Sequence, residues 1–466
     1  MSRTLLRGGQ VVSMSPTRPD SERAEILVDG PRILAVGEDL DPGGAEVVDL
    51  TGRVVIPGLV NAHLHTWQTP MRFVGADWAL PRYLALAHGE IARHYRPADT
   101  HIGTLAGALN QIDSGVTTIG DWSHNCTTGE HADAAVDALT QAGVRAVFLH
   151  GTPHGLLDRP HDIDEIDRLL DGPIATNPLL SLGMAIKGPQ LSKPEIAIAD
   201  LRAAAERGLL ASMHQSAGPP GPGWHAVTEA GLWSPSANIV HGTGLPPNLV
   251  DTLVASGVTF TCTPENELGQ GHTTRLADNV LAAGSAPSLG TDTEMVTPGE
   301  VLIAARILLA MQRGLQHDQA FTRTGLGAGE VTLTAKDALS WATVEGARAL
   351  GLSDRVGRIE AGMEADLTVI DARMLNLWPP HDAIAGALNA NTANIEAVMI
   401  AGQWRKRDHK LFGVDLPTIK GELQRSGDEF ARRVRRSGAL DKMRRRVVRR
   451  VVDRQLSAQA DPARRT

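Results

Sequence analysis

Eight short apolar segments, separated by amphipathic stretches, dominate the middle of the chain. The segments have the length of buried strands, while stretches such as 99–114 and 195–207 repeat apolar positions at helical spacing. Strands that alternate with helices favour a parallel sheet with crossover helices. The segments are residues 54–65, 117–121, 144–150, 180–186, 209–214, 238–241, 258–262 and 287–292. Eight such units predict a (β/α)8 TIM-like barrel of the α/β class, with a doubly wound sheet as the alternative.

Both ends of the chain have a different sequence pattern, in which short strand-like runs alternate with glycine turns. Examples are residues 25–30 and 32–37 near the start and residues 365–370 and 395–402 near the end. We predict that residues 1–57 and 358–412 form one composite β-sandwich, with the barrel of residues 58–357 inserted between them.

Residues 413–466 form an arginine-rich tail with a helical pattern, including the basic runs 432–436 and 444–450. One interpretation is a surface that binds nucleic acid or membrane. Basic runs alone are weak evidence for such a surface. We therefore prefer a solvated helix that packs on the sandwich or on a partner subunit.

Composition narrows the classes of function. A hydrophobic content of 42% in 466 residues allows a large core, and a net charge of −8 gives no reason to expect nucleic-acid or membrane partners. The start of the chain lacks the apolar core of a signal peptide, and no apolar run is long enough to span a bilayer. With only Cys126 and Cys262, a cysteine-rich zinc site is excluded. We expect a soluble cytoplasmic protein that acts on a small molecule.

Metal-ligating residues end several of the predicted strands. His63 and His65 end the first and point the same way, because side chains alternate along a strand. His214 ends the fifth strand, His241 the sixth and Asp292 the eighth. The carboxyl ends of barrel strands converge on one mouth, where barrel active sites lie. Imidazoles with one carboxylate suit Zn²⁺, or alternatively Fe²⁺ or Mn²⁺, so the sequence predicts a divalent metal site.

Three stretches carry a resemblance to a known superfamily: VVIPGLVNAHLH at 54–65, SLGTD at 288–292 and GRIEAGMEADL at 357–367. They resemble the amidohydrolase superfamily, in the branch that holds S-adenosylhomocysteine/methylthioadenosine deaminases, guanine deaminases and triazine hydrolases. The resemblance implies a barrel with a composite β-sandwich, and a homodimer or larger assembly. It also implies that His63, His65, His214 and Asp292 bind one catalytic metal ion, with His241 close to the metal and the substrate.

These residues permit hydrolysis. A metal ion lowers the pKa of its bound water, Asp292 can take up and return a proton, and His241 can stabilise a developing anion. We therefore predict a metal-dependent hydrolase of the deaminase or amidohydrolase type. It would cleave a C–N bond in a small heterocyclic or amide-like substrate.

One departure concerns the general acid. Deaminases of this branch carry a glutamate three residues after the fifth-strand histidine, and here Ala217 stands in that place. His124 or Glu265 is a candidate to replace it. Otherwise the substrate needs no ring protonation, or the protein is a lyase or cyclase on the same metal scaffold. A protein without catalytic activity is a further hypothesis, against which the complete ligand set argues.

Four further residues are candidates for substrate binding. Trp67, Gln68 and Arg72 follow the His-x-His pair in a loop that touches substrate in this branch. Trp67 can stack on a flat ring or pack in the rim, and the two polar side chains can hydrogen bond to a polar edge. Lys187 ends the fourth strand, where a contact with substrate or solvent is preferred to a carboxylated bridge between two metal ions.

Overall fold

The computed structural model describes residues 3–153, 158–272 and 276–436, together with residue 450. Within these ranges the strands are β1 (Arg3–Arg7), β2 (Gln10–Val11), β3 (Glu22–Arg23), β4 (Glu25–Asp29), β5 (Arg32–Gly37), β6 (Glu46–Asp49), β7 (Arg53–Pro57), β8 (Leu59–Leu64), β9 (Val116–Ser123), β10 (Arg145–Gly151), β11 (Leu180–Ala185), β12 (Leu210–His214), β13 (Ala237–Val240), β14 (Thr259–Cys262), β15 (Ser288–Leu289), β16 (Leu367–Asp371), β17 (Ile395–Ile400), β18 (Gln403–Arg407) and β19 (Lys410–Leu411).

The α-helices of the same ranges are α1 (Leu80–Tyr83), α2 (Pro97–Asp113), α3 (Gly129–Ala142), α4 (Ile163–Asp171), α5 (Gly188–Leu191), α6 (Pro194–Glu206), α7 (Pro222–Glu229), α8 (Pro247–Ala255), α9 (Pro264–Gln270), α10 (Leu276–Ala282), α11 (Val301–Thr324), α12 (Ala335–Trp341), α13 (Val344–Ala349), α14 (Ala383–Leu388) and α15 (Leu416–Arg436). Short 3-10 helices span Thr66–Met71, Ala92–His94 and Thr392–Asn394, and a π-helix spans Leu84–Ile91.

The eight strands β8 to β15 form one parallel sheet in sequence order. The sheet closes on itself, because the main-chain N–H of Asp292 donates to the carbonyl of His63 at 3.0 Å and that of His65 donates to the carbonyl of Asp292 at 2.7 Å. The main apolar cluster joins outward-facing strand residues such as Phe148 and Leu182 to helix residues such as Leu139. The predicted (β/α)8 barrel is confirmed.

The single strand predicted over residues 54–65 is wrong. The run forms two strands in different sheets, β7 in the sandwich and β8 in the barrel. They are separated at Gly58, where a Cβ atom would lie 2.1 Å from Oγ1 of Thr117. Only a residue without a side chain lets the backbone pass this closely between the sheets. The apolar pattern hides the break because both strands are buried on both faces.

The chain ends build the predicted composite β structure. In a seven-stranded sheet, β7 from the start of the chain pairs antiparallel with β16 from its end, placing Val55 opposite Val369. A four-stranded sheet in the order β5-β4-β1-β6 faces it, and residues such as Leu6 and Ile26 share one apolar cluster with Val55. Arg145 at the start of β10 donates to Asp366 at 2.8 Å, which ties the barrel to this sandwich.

Helix α15 is the described part of the tail, which we predicted to pack on the sandwich or on a partner subunit. It packs on α2 and on the 3-10 and π-helices that follow His65. The second basic run, residues 444–450, lies outside the described ranges apart from residue 450. In the part of the chain that the structure describes, no helix combines the length and apolarity needed to cross a bilayer.

Candidate active site

Three histidines and one aspartate converge at the carboxyl-terminal mouth of the barrel. His63 lies on β8 and His65 directly follows it, His214 ends β12, and Asp292 follows β15. One potential ligand atom from each residue lies within 4.8 Å of every other. Nε2 of His63 is 3.2 Å from Nε2 of His214, and Nε2 of both His63 and His65 is 3.3 Å from Oδ1 of Asp292. The barrel thus brings together the four predicted metal ligands.

This ligand set fits one divalent ion. Ligands that each lie about 2.0 Å from such an ion are about 3.3 Å from one another, which matches the separations above. His65 donates from Nδ1 to the carbonyl of Trp122 at 2.7 Å, which leaves Nε2 free to bind an ion. Burial lowers the pKa of His63 to about 3 and that of His214 well below its ordinary value, so both rings are neutral ligands.

Asp292 is held as a carboxylate. Burial alone would raise its pKa, but the imidazoles of His63, His65 and His241 around it outweigh this effect and bring the pKa well below the usual range. Its second oxygen, Oδ2, accepts a hydrogen bond from the side-chain amide of Asn266. The backbone at Asp292 has a φ of 62°, a conformation that non-glycine residues adopt rarely and that occurs preferentially at functional sites.

His241 faces the same cluster and is held by a second carboxylate. Its ring centroid is 5.4 Å from that of His214, and its Nδ1 donates to Oε1 of Glu267 at 3.2 Å. Burial lowers the pKa of His241, but the Glu267 hydrogen bond and the charge of Asp292 outweigh burial and raise it above 6.5. The predicted position of His241 beside the metal ligands is therefore what the structure shows.

The turn after β14 places two other side chains beside the cluster. Glu265 was singled out as a candidate general acid, but the side chains of this turn that hydrogen bond to the cluster are those of Asn266 and Glu267. Glu265 is half-buried, and burial together with Glu300 raises its pKa. Pro264 is the feature of the sequence that could have indicated Glu267, because proline often begins a helix and here begins α9. One helical turn later, Glu267 faces back toward the strand end and accepts from the N–H of Thr263 at 2.8 Å.

His124 directly follows β9 and lies beside the metal ligands. Its ring centroid is 4.4 Å from that of His65. Its Nε2 is 3.3 Å from Nδ1 of His88, which the π-helix brings over the barrel mouth. His88 was not predicted, because nothing in its local sequence indicates that the π-helix folds back onto the site.

Three of the four predicted substrate-binding residues make contacts within the protein. Trp67 is buried with its ring centroid 5.5 Å from that of His124. Gln68 donates to the hydroxyl of Tyr83 at 2.8 Å, and Arg72 donates to the buried carboxylate of Glu294 at 2.8 Å. These bonds engage both polar side chains within the protein.

Lys187 is directed to other partners. Its ammonium donates to the carbonyl of Arg159 at 2.6 Å, and burial lowers its pKa while the charge of Asp200 opposes that shift. The geometry therefore gives no support to a bridging role between two metal ions.

Ala217 has apolar surroundings. It packs against the cluster that contains Trp67, Tyr83 and Phe430, and its carbonyl accepts from Nε2 of Gln190 at 2.7 Å. Position 217 therefore offers no carboxylate that could act as the general acid.

A closed parallel barrel that gathers three histidines and an aspartate at its mouth defines the barrel-type metal-dependent hydrolases. Within that class, the chain belongs to the amidohydrolase family, whose model matches residues 54–405. This match confirms the predicted resemblance and the predicted hydrolase class, which acts on carbon–nitrogen bonds.

Several relatives align over nearly the whole chain. A 5-methylthioadenosine/S-adenosylhomocysteine deaminase of Pelotomaculum thermopropionicum is 27% identical over 443 residues, covering 91% of this chain and 98% of the relative. A 5'-deoxyadenosine deaminase of Methanosarcina mazei is 23% identical over 451 residues, covering 93% and 100%.

Solved structures with the same fold include a zinc-bound adenosine deaminase from Xanthomonas campestris, with a TM-score of 0.80 and 21% identity, covering 92% of this chain and 99% of that one. A triazine hydrolase from Arthobacter aurescens has a TM-score of 0.79 at 21% identity, covering 92% and 100%. At this identity the likeness establishes the fold alone.

Proposed function

We propose that this enzyme hydrolyses a C–N bond at an unsaturated carbon of a small heterocyclic substrate. One divalent ion would be held by His63, His65, His214 and Asp292, whose convergence is the observation that carries the proposal. We propose Zn²⁺ in preference to Fe²⁺ or Mn²⁺, because three histidine nitrogens and one carboxylate oxygen suit zinc and the Xanthomonas campestris neighbour contains zinc. We further propose a cytoplasmic homo-oligomer.

When bound, such an ion supplies an activated water as the nucleophile. Asp292 is suited to accept a proton, because its carboxylate lies among the metal ligands and Asn266 fixes its far oxygen. His241 is suited to donate a hydrogen bond to the substrate atom on which negative charge develops. Glu267 supports this role by raising the pKa of His241.

His124 is the group we propose as proton donor in place of the glutamate that Ala217 replaces. Its ring lies beside that of His65, and its Nε2 contacts His88 on the π-helix. The two imidazoles form a chain along which a proton can reach the leaving group. A His124→Asn variant is expected to lose activity on substrates that need ring protonation and to keep more of it on substrates with an activated leaving group.

The proposal is tested by product analysis in heavy-oxygen water. The zinc-loaded protein is incubated with 5'-deoxyadenosine, 5'-methylthioadenosine, amino-triazines and simple amides, and released ammonia or amine is measured. Solvent oxygen in the product, absent with His214→Asn, is the expected result. Failure of every compound to release ammonia or amine would contradict the proposal.

A lyase or cyclase on the same scaffold is the second candidate. It is favoured by Ala217, whose apolar packing leaves the usual acid site without a carboxylate. Turnover to a product that contains no solvent oxygen would identify it. Under the hydrolase proposal, Ala217→Glu is instead expected to retain or increase ammonia release from aminopurines, because it restores a proton donor beside the site.

A further inference from the structure

Helix α15 lies directly behind one side of the active site. That side is formed by residues 66–96, which we call the wall segment. Ser426 of α15 donates to the buried carboxylate of Asp99 at 2.8 Å, and Glu429 pairs with Arg96 at 2.9 Å. These polar contacts anchor α15 to the start of α2, immediately after the wall segment.

A line of aromatic rings runs from α15 to the catalytic histidines. Phe430 is 1% exposed and stacks on Tyr95, with ring centroids 4.2 Å apart and planes inclined by 24°. Tyr95 meets Trp67 edge to face at 4.9 Å, and Trp67 meets His124 at 5.5 Å. Rings packed in this way restrict one another, so the position of Phe430 sets the room available to Trp67.

The main chain around Trp67 is confined from two sides by glycines. A Cβ atom on Gly427 of α15 would lie 2.7 Å from the carbonyl oxygen of Pro70. On the opposite side, a Cβ atom on Gly103 of α2 would lie 2.9 Å from the carbonyl oxygen of Trp67. The 3-10 helix that follows His65 is therefore fixed between α15 and α2 by direct backbone contact.

Trp67 itself carries an unused hydrogen-bond donor. Its indole Nε1–H is buried, and no residue in the described ranges accepts from it. A buried donor without a partner costs free energy, which an acceptor atom on a bound substrate would offset. Trp67 is thus placed to bind substrate by its ring edge as well as by its face.

We infer that α15 is a positioning element for substrate binding, which acts through Phe430 and Tyr95 on Trp67. The kinetic test of this inference rests on the proposed function. Phe430 packs on Tyr95 and Gly427 on Pro70, and neither belongs to the group of metal ligands, so their effect should appear in KM more than in kcat. This part of the tail would then belong to the active-site structure, although nothing in its pattern of residues connects it with catalysis.

The test compares two glycine-to-alanine variants of the same helix in the full-length, zinc-loaded protein. Gly427→Ala forces a side chain against Pro70, whereas at Gly421 the nearest atom to an added Cβ is on the flexible Arg425 side chain at 3.9 Å. Both changes raise helix propensity equally. We expect KM to rise about tenfold in Gly427→Ala, with kcat within about threefold of wild type and zinc content unchanged, and Gly421→Ala to match wild type.

A second pair isolates the ring of Phe430. Phe430→Leu keeps an apolar side chain but loses the stack on Tyr95, and Phe430→Tyr keeps the ring. The inference predicts that KM rises with leucine and is restored by tyrosine. This pair decides the question if Gly427→Ala fails to fold. Wild-type KM in both Gly427→Ala and Phe430→Leu would overturn the inference.

Trypsin cleavage after Arg72, Arg82 and Arg93 of the wall segment gives a readout that needs no substrate. Faster cleavage in Gly427→Ala than in Gly421→Ala supports the inference, and equal rates count against it. If the wild-type protein hydrolyses no C–N bond, the proposed function fails, and these cleavage rates alone decide whether α15 fixes the wall segment.

Discussion

Replacing Glu267 by glutamine removes a negative charge from beside His241 while keeping the shape of the side chain. Oε1 of Glu267 accepts from the N–H of Thr263 at 2.8 Å and from Nδ1 of His241 at 3.2 Å. Glutamine retains an oxygen for Thr263 but offers His241 a neutral acceptor. A hydrogen bond to a charged group contributes about 1.5–3 kcal/mol, so kcat is expected to fall by about 10- to 100-fold.

The pH profile gives the same variant an independent signature. Glu267 raises the pKa of His241, so its neutralisation lowers that pKa. If protonated His241 is the active form, activity is lost as pH rises through its pKa. The alkaline limb of the kcat profile should therefore move to lower pH in Glu267→Gln, as steady-state assays across a pH series can measure.

Glu265→Gln is the matched control, since Glu265 lies on the same turn of α9 and is paired with neither His241 nor Asp292 among the hydrogen bonds of the described residues. We expect its kcat to stay within about twofold of wild type. Both variants should keep their zinc. A kcat in Glu267→Gln close to that of wild type, or a larger loss in Glu265→Gln, would refute the assignment of Glu267.

Two predictions concern stability. Arg145→Met should lower the free energy of unfolding in urea by about 3–5 kcal/mol, because it removes the ion-pair partner of the buried Asp366 and leaves Glu364 with Arg355 alone. Arg168→Met, in an exposed ion pair, should cost less than about 1 kcal/mol, and equal costs would contradict the argument. Burial lowers the pKa of His150 from 6.5 to about 4. Below pH 6.5 the unfolded chain therefore binds more protons than the folded chain. The free energy of unfolding consequently falls as the pH drops toward 4. That loss reaches about 3 kcal/mol, and His150→Gln should weaken this pH dependence in urea titrations; an unchanged slope would count against it.

The barrel and its four metal ligands were predictable because both depend on local patterns. Strand length and helical spacing give the alternation of elements, and a ligand at a strand end needs no knowledge of distant contacts to be placed at the mouth. His63, His65, His214 and Asp292 all satisfy this rule, and the structure brings them together.

The features that were missed depend on how separate elements meet. One strand ends and the next begins at Gly58, where a side chain would collide with Thr117, a residue remote in sequence. Glu267 reaches His241 only because α9 folds back over the strand end. A prediction based on closeness to the strand end selects Glu265 instead. The packing of Phe430 on Tyr95 joins parts of the chain more than 300 residues apart.

Metal content tests the central claim most directly. The purified protein, stripped with a chelator and dialysed against Zn²⁺, should retain one zinc ion per chain by elemental analysis. His214→Asn and Asp292→Asn should retain much less, while His272→Asn, which removes a buried histidine next to His241 but outside the ligand group, should bind as wild type does. A folded wild-type chain that retains no divalent ion, or ligand variants that bind zinc as well as wild type, would contradict the account.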